Sequence, residues 1–403
     1  MYFRRVGGVG LLLAMANSLS GIIWGANSVM LSIYMLSIGM SPAFIGLVLG
    51  TFSLMGALGS LIMGYLADLM DRVRLFILLL SLIGGSLVLL MITGVPIIVS
   101  TAYILTALFN RYGYAVVLTT IVGEYAKRRG VSDELFSLSS TLSIAFSVVG
   151  SLMAALPSHL GRLGYDLVFI AEAVSMYLTI PMILRAIKYL DKSVLNVRIE
   201  RVSLKDLGRL RSSWLLKRLI PDAIIGLGAG IIASLISLWF YLKFHVDLAS
   251  LGLVYAISYT MLALGMLMAP TISRLFHSRV ISVVVLEGSA TALLAIMPSI
   301  YNLPILFVIF IIRNTLMNMA SPLLTSLINE LVPREERGRV FGVWNTLSLI
   351  PRAVGPGLGG YLMDIGYLDL PLYLTSMLYA TAVILFYILF RDVERRMNVA
   401  YRT

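Results

Sequence analysis

Apolar segments of about 20 residues recur along the whole chain, and this pattern limits the possible fold more than any other feature of the sequence. Each segment is long enough to cross a hydrocarbon layer of about 30 Å as a helix. Because lipid offers no partners to backbone N–H and C=O groups, only helices and closed barrels span it. The segments are rich in Leu, Ile, Ala and Met and do not alternate with polar residues. The sequence therefore predicts an all-α polytopic membrane protein.

Composition supports this prediction and helps to divide the chain into elements. Of the 403 residues, 59% are hydrophobic and 13% are charged, whereas soluble domains carry about 25% charged residues. A basic linker at 189–218 is predicted to separate an N-terminal six-helix bundle at 1–188 from a C-terminal bundle at 219–403. The twelve predicted transmembrane helices cover residues 8–37, 42–67, 75–94, 97–123, 135–156, 166–188, 219–242, 248–272, 280–298, 303–332, 339–362 and 370–390.

The positive charges indicate the orientation of the chain in the membrane. If the loops are assigned alternately to the two sides, one side holds 26 of the 31 Lys and Arg residues, and the other holds only Arg162 and Lys243. The remaining three, Arg111, Arg313 and Arg352, lie within predicted helices. Since cytoplasmic loops are enriched in Lys and Arg, both termini are predicted to be cytoplasmic, in a multi-pass protein of the cell membrane. The net charge of +11 is therefore interpreted as a topology signal and not as a nucleic-acid-binding surface.

Short sequence matches indicate an internal repeat. Ile-Gly-Leu-Val at 45–48 recurs as Leu-Gly-Leu-Val at 251–254, and Ala-Leu-Gly at 57–59 recurs at 263–265, in both cases 206 residues later. Six predicted helices separate each pair, which is an even number. The two bundles are therefore predicted to be parallel repeats, related by an axis along the membrane normal.

One loop carries a family resemblance. Residues 64–74, between predicted helices 2 and 3, read Gly-Tyr-Leu-Ala-Asp-Leu-Met-Asp-Arg-Val-Arg. This segment resembles the loop signature of the major facilitator superfamily, although Leu69 replaces a usual basic residue and Asp71 a usual glycine. A softer resemblance to the same family lies at 330–339, between predicted helices 10 and 11. Together with the topology and the repeat, the resemblance extends over the whole chain.

The resemblance implies a fold of two six-helix bundles that alternate in access around a central cavity. It also implies that Asp68, at the end of predicted helix 2, contacts the N-terminus of helix 11 and favours the outward-open state. The alternative is that the charges of this loop only anchor helix ends at the lipid headgroups. The residues assigned to this gating motif are Gly64, Asp68, Arg72 and Arg74.

Polar side chains at helical spacing supply the candidates for the cavity wall. In the family, helices 1, 4, 7 and 10 line the cavity and helices 2, 5, 8 and 11 complete it. Ser and Gly on these faces serve helix packing equally well, so Asn, Trp, Tyr and buried Arg are the stronger candidates. They are Asn17, Trp24, Asn27, Asn110, Arg111, Tyr114, Arg313, Asn314, Asn318 and Arg352.

Charges inside the membrane are costly and therefore informative. Arg111, Arg313 and Arg352 present paired donors suited to a carboxylate or phosphate, which favours an anionic solute. The alternative is that these arginines pair with nearby carboxylates and only hold the helices together. Three acidic residues, Asp222, Glu172 and Glu287, are candidates for structural pairing or for ion coupling. The resemblance places helices 6 and 9, which carry the two glutamates, at the lipid-facing periphery.

The main functional hypothesis is secondary active transport of a small solute, coupled to protons or another ion. The alternatives are efflux of amphipathic compounds by proton antiport and a sensor or scaffold that transports nothing. The sequence contains no Walker-type ATP-binding loop, no cysteine and only three scattered histidines. No catalytic site, metal or cofactor is predicted, and the expected partners are a solute and membrane lipids around a monomer.

The topology has a direct test, since the natural chain lacks cysteine and single cysteines can be added one at a time. A cysteine placed within 189–218 is expected to react with a membrane-impermeant thiol reagent only from the cytoplasmic side. A cysteine beside Arg162 is expected to react only from the outside. Labelling of the linker from outside intact cells would overturn the predicted number of crossings.

Overall fold

The computed structural model describes residues 2–69, 72–109, 115–188, 215, 219–333 and 336–400. Within these residues the chain forms helices and no strands. Nine of the described helical segments are long and apolar enough to span a membrane, and two shorter apolar helices accompany them. The predicted all-α polytopic fold is therefore confirmed.

We number the helices in chain order. Those before the linker are α1 (Tyr2–Ser18), α2 (Ser20–Ser37), α3 (Pro42–Leu69), α4 (Arg72–Ile92), α5 (Pro96–Phe109), α6 (Ala115–Arg129), α7 (Ser132–Met153), α8 (Leu156–Leu160) and α9 (Arg162–Ile187). Those after it are α10 (Ile220–Ile232), α11 (Ile236–Phe244), α12 (Leu248–Phe276), α13 (Arg279–Ile296), α14 (Leu303–Leu331), α15 (Arg337–Asp364) and α16 (Leu370–Ala400).

The observed helices follow the predicted spans, with differences at their ends. Helices α1 and α2 form one span from Val6 to Ser37, as α10 and α11 do from Ile220 to Phe244. Helix α16 continues ten residues beyond the predicted end at residue 390. The reason is that apolar residues mark the part of a helix that lies in lipid, whereas charged helix formers extend the same helix into water.

Local sequence signals fix where two of the helices begin. The Ser278 hydroxyl accepts a hydrogen bond of 3.0 Å from the Ile281 backbone N–H at the start of α13. The Asn302 side chain accepts one of 3.2 Å from the Ile305 N–H at the start of α14. These side chains satisfy N–H groups that have no partner within the first helical turn.

The chain forms two compact units. Unit 1 comprises Met1–Ser41, Thr51–Glu200 and Phe240–Tyr259, and unit 2 comprises Pro42–Gly50, Arg201–Trp239 and Thr260–Thr403. Each unit thus includes a short helical segment from the other half of the sequence. The predicted linker falls almost entirely outside the described residues, so the division at 189–218 stays a prediction.

Close backbone contact at glycine holds α2 against α7 in unit 1. A Cβ atom added at Gly25 would lie 2.0 Å from the Ser147 carbonyl oxygen, and one at Gly21 would lie 2.3 Å from that of Ser143. These distances are too short for any side chain, so only glycine permits this approach. Small residues are the usual means of bringing membrane helices together, because lipid gives apolar surfaces no reason to associate.

The same contact recurs between α10 and α15 in unit 2. A Cβ atom at Gly226 would lie 2.3 Å from the Ser348 carbonyl oxygen, and one at Gly230 would lie 2.4 Å from that of Arg352. Each of these four residues lies 205 positions after its counterpart in unit 1. The structure therefore repeats the contacts as well as the sequence, which confirms the internal repeat.

The two exchanged segments also follow the repeat. In unit 2, Gly46 of α3 packs on α15, where an added Cβ would lie 2.2 Å from the Pro356 carbonyl oxygen. In unit 1, Gly252 of α12 packs on α7, where an added Cβ would lie 2.6 Å from that of Ser151. Pro356 follows Ser151 by 205 residues and Gly252 follows Gly46 by 206, so the two contacts are equivalent.

These contacts predict where an added methyl group destabilises the protein. Gly25→Ala and Gly230→Ala should each lower the free energy of unfolding by about 1–3 kcal/mol, because the helices must separate to admit the Cβ atom. Gly85→Ala in α4 is the matched control, since nothing lies within 4 Å of its added Cβ. Thermal unfolding of the three purified variants measures the difference. Equal melting temperatures for all three would contradict the assigned contacts.

Candidate functional site

Asp222 lies in the first turn of α10 and accepts two side-chain hydrogen bonds from α15. The Trp344 indole N–H and the Ser348 hydroxyl both donate to its Oδ2 atom. Trp344 and Ser348 are four residues apart, so they lie on the same face of α15. This arrangement gives a half-buried carboxyl group two neutral hydrogen-bond donors.

The glycine contacts between α10 and α15 explain how these residues meet. Because Gly226 and Gly230 let the two backbones touch, the face of α15 that carries Ser348 and Arg352 is pressed against α10. Arg352 lies one turn beyond Ser348, its side chain is exposed, and it attracts the Asp222 carboxylate electrostatically. The face of α15 beside Asp222 thus carries the two neutral donors Trp344 and Ser348, followed by the cation Arg352.

A second acid shares a small cavity with Asp222. The cavity has a volume of about 10 Å³, comparable to the space that one water molecule needs. Glu287 of α13 is only 6% exposed, and its carboxyl is near enough to repel that of Asp222 when both are ionised. The other six lining residues are apolar: Leu219, Pro221, Ile225, Leu324, Phe386 and Phe390.

The third candidate acid, Glu172, lies in unit 1 and faces α2. Its side chain on α9 is completely buried, and its Oε2 atom accepts a hydrogen bond of 3.3 Å from Asn27 Nδ2. The other two oxygens of this pair, Glu172 Oε1 and Asn27 Oδ1, are also buried and have no hydrogen-bond partner. The structure therefore brings together one predicted cavity residue and one predicted coupling residue.

Both glutamates lie on inward faces of their helices. With exposed fractions of 0% and 6%, Glu172 and Glu287 are buried within their bundles, although the resemblance places their helices at the periphery. The physical reason is that an outer helix still has an inner face, and a polar group is far cheaper there than in lipid. Internal pairing, one of the alternatives left open by the sequence, describes Glu172 and Asn27.

Trp24, another predicted cavity residue, belongs to a polar cluster between α2 and α12 within unit 1. The Tyr259 hydroxyl donates to Ser28 Oγ at 3.0 Å, and Ser28 in turn donates to the Trp24 carbonyl oxygen at 2.7 Å. The Trp24 side chain itself is 55% exposed. A large aromatic surface is therefore available beside fixed hydroxyl groups.

The remaining described candidates are dispersed. Asn318 Nδ2 donates to the Asn314 carbonyl oxygen at 2.8 Å along α14, and the half-buried Asn17 lies on α1. The Arg313 guanidinium is stacked 5.8 Å from the ring centre of Tyr379 on α16, and its Nε atom is buried without a partner. Arg313 is thus directed toward a neighbouring helix of its own unit.

The structure does not describe the side chains of several predicted site residues. Asn110, Arg111 and Tyr114 lie outside the described residues. Gly64 and Asp68 belong to α3 and Arg72 begins α4, but their side chains lie outside the described part as well. Arg74 is exposed near the start of α4. The gating role of this motif stays a prediction.

Sequence reasoning missed three residues that the structure places at these sites, namely Trp344, Ser28 and Tyr259. A signal existed for Trp344, since positions 344, 348 and 352 recur every four residues and define a face of α15. For Tyr259 no sequence signal existed, because its partner Ser28 is 231 residues away. Such a contact depends on the packing of distant helices.

Comparisons with known proteins agree with the fold. A sequence model described as "Major Facilitator Superfamily" matches residues 13–350 and 223–400. No curated protein sequence matches the chain.

Solved structures of transporters are similar over almost the whole chain. The nucleoside transporter NupG superposes with a TM-score of 0.75 at 12% identity, covering 95% of this chain and 99% of its own. A bacterial homologue of the iron transporter ferroportin, in an inward-facing state, gives 0.72 at 13% identity, covering 94% and 97%. A bacterial homologue of the human lysosomal transporter Spinster gives 0.71 at 15% identity, covering 95% and 96%. At these identities the likeness establishes the fold and does not transfer a substrate.

The Asp222 contacts generate a double-mutant test. Ser348→Ala and Asp222→Ala are each expected to destabilise unit 2, and the double variant less than the sum, with a coupling energy of about 0.5–3 kcal/mol. The reason is that each single variant leaves a polar partner without its hydrogen bond. Ser234→Ala, at an exposed position of the same span, is the control. Additive effects of Ser348→Ala and Asp222→Ala on the free energy of unfolding would show that the contact is absent.

Proposed function

The chain belongs to the Major Facilitator Superfamily, and we propose that it is a proton-coupled secondary transporter that moves a small solute by alternating access. Membership and the similar transporter structures establish a role in membrane transport.

The observation that carries the proposal is the pair of acids in one apolar cavity. Asp222 and Glu287 line the same cavity of unit 2, and the other residues that line this cavity are apolar. Ionising both would combine mutual repulsion with the cost of removing two charges from water. One proton bound to either acid relieves both costs, because the two interacting carboxyl groups titrate as a pair. A site that gains and loses one proton is what coupling to a proton gradient requires.

The hydrogen bonds of Asp222 connect this proton to the contact between α10 and α15. An ionised Asp222 accepts strong hydrogen bonds from Trp344 and Ser348, and a protonated one accepts weaker ones. Proton binding therefore changes how firmly α15 is held to α10. Alternating access needs a ligand that stabilises one arrangement of the helices more than the other, and the proton meets this condition.

Arg352 supports an anionic solute. The Arg352 side chain is exposed and attracts the Asp222 carboxylate, and protonation of Asp222 removes that attraction. A guanidinium binds carboxylate or phosphate through paired N–H donors. Among the two described arginines of the predicted cavity, Arg352 fits this role better than Arg313, whose guanidinium is stacked on Tyr379. Arg111 and the gating residue Asp68 remain proposals from the sequence.

The test is solute uptake into proteoliposomes with an imposed pH gradient, using a panel of small organic anions and their neutral analogues. We expect gradient-driven accumulation of an anion, with proton movement recorded by a pH-sensitive dye inside the vesicles. Asp222→Asn and Glu287→Gln should each reduce accumulation about tenfold, equivalent to about 1.4 kcal/mol of coupling, while solute exchange without a gradient persists. Exchange persists because these substitutions remove the titrating group and keep a neutral side chain of similar size.

A control variant and three further results test proton coupling, anion binding and transport separately. Glu330→Gln, which removes a partly exposed ion pair with Arg279 at 2.7 Å, should leave the pH dependence unchanged. Arg352→Gln should weaken the apparent affinity for the anion and leave the neutral analogues unaffected. Wild-type accumulation by both acid variants would overturn proton coupling through this cavity. Absence of flux for every compound, in protein that remains folded, would favour the sensor or scaffold alternative.

A further inference from the structure

The side chains of Glu172 and Asn27 form one hydrogen bond and leave two oxygen atoms without a donor. Asn27 Nδ2 donates to Glu172 Oε2 at 3.3 Å, which satisfies one oxygen of the carboxyl group. The remaining oxygens, Glu172 Oε1 and Asn27 Oδ1, are both acceptors, and both are buried with no partner. Two unsatisfied acceptors in one buried pair are unfavourable, because neither can donate to the other.

A proton on Glu172 resolves this arrangement. If Oε1 carries the hydrogen, it can donate to Asn27 Oδ1 while Asn27 Nδ2 continues to donate to Oε2. A carboxylic acid and a primary amide then form a cyclic pair with two hydrogen bonds and no net charge. Reversing the amide of Asn27 does not remove the need for the proton, because the amide oxygen would then face the carboxyl oxygen directly.

The surroundings of Glu172 give an ionised carboxylate no compensation. The side chain is completely buried, and among the described residues no charged group interacts with it electrostatically. An isolated buried charge is among the most expensive features of a protein interior. The described titratable groups on α9 and on the elements packed against it are Tyr34 on α2, Arg74 on α4, His159 on α8, and Arg162, Tyr165, Asp166, Tyr177 and Arg185 on α9 itself.

Among these groups, the Tyr34 hydroxyl has a partner of its own. Tyr34 packs with its ring centre 5.0 Å from those of Tyr165 and Phe169, toward the beginning of α9. The Tyr34 hydroxyl donates to the Leu90 carbonyl oxygen at 2.8 Å, so its hydrogen is used elsewhere. Glu172 therefore depends on Asn27 and on its own proton.

We propose that Glu172 is a second proton-binding site, in unit 1, and that its acid–amide pair with Asn27 fastens α9 to α2. This adds a site to the proposed proton-coupled transport, but the pairing itself does not require that function. Glu172 acts as a positioning residue: Asn27 is next to Ser28, which receives the Tyr259 hydroxyl at 3.0 Å, and one turn from the exposed Trp24. Loss of the proton leaves a buried charge and removes one of the two hydrogen bonds between Glu172 and Asn27.

Infrared spectroscopy of the purified protein in lipid detects the proton directly. We expect a C=O stretching band of a protonated carboxylic acid in the wild type at neutral pH, and loss of one component of that band in Glu172→Gln. Asn27→Ala should shift that component, because the acid loses its amide partner. Asp364→Asn, at an exposed carboxylate, is the matched control and should leave the band unchanged. Identical spectra for wild type and Glu172→Gln in this region would overturn the proposal.

Thermal unfolding provides a second, independent measurement. Glutamine is neutral and can form the same two-bond pair with Asn27, so Glu172→Gln should keep Tm within about 2 °C of wild type, whereas Glu172→Ala should lower it by about 4 °C or more. Destabilisation of Glu172→Gln equal to that of Glu172→Ala would indicate an ionised carboxylate and refute the neutral pair. Neither measurement uses a solute or a pH gradient. A failed transport assay therefore leaves this result unaffected. Any contribution of Asp222 to the infrared band is identified separately from that of Glu172 with the Asp222→Asn variant.

Discussion

Contact between helix backbones at glycine is the interaction on which the rest of this structure depends. Helices in lipid gain nothing from hiding apolar side chains from one another, so they associate through close packing and polar contacts. Gly21 and Gly25 let α2 touch α7, and Gly226 and Gly230 let α10 touch α15. Each contact fixes both the distance and the rotation of a helix pair. Once the rotation of a helix is fixed, each of its polar side chains faces a defined neighbour.

The polar sites follow from these fixed faces. With α10 pressed on α15, Asp222 meets donors that recur every four residues along the facing helix. With α2 pressed on α7, Asn27 meets Glu172 on α9, on another side of the same helix. Buried polar groups are stronger partners than exposed ones and are also more costly when unsatisfied. A small rotation of either helix pair would therefore be expensive, which makes these contacts suitable points for a proton to act.

The sequence predicts the membrane spans and the repeat but not the side-chain pairs, for a physical reason. Apolar run length predicts the spans because lipid imposes it, and the glycine matches predict the repeat because backbone contact tolerates no other residue. The sequence marks both Asn27 and Glu172 as functional candidates but does not predict that they pair. Helical spacing assigns a residue to a face but does not say which neighbour covers that face. The same limit explains why Tyr259 is not among the predicted site residues.

The two halves share a scaffold but differ in charge. The offset of 205 residues that relates Gly21 to Gly226 also relates Asn17 to Asp222 and Ser147 to Arg352. The first half thus has neutral residues where the second half has an acid and a base. The offset assigns Glu287 to the exposed Leu82, and Glu172 to the exposed Met377, so neither glutamate has an acidic counterpart. The backbone contacts are duplicated and the charges are not. The repeat therefore accounts for the architecture, and the acids that lack an acidic counterpart in the other half give each bundle its own chemistry. A symmetric scaffold with asymmetric charges can respond to one proton differently in its two halves, because only groups with different proton affinities in two states bias an equilibrium.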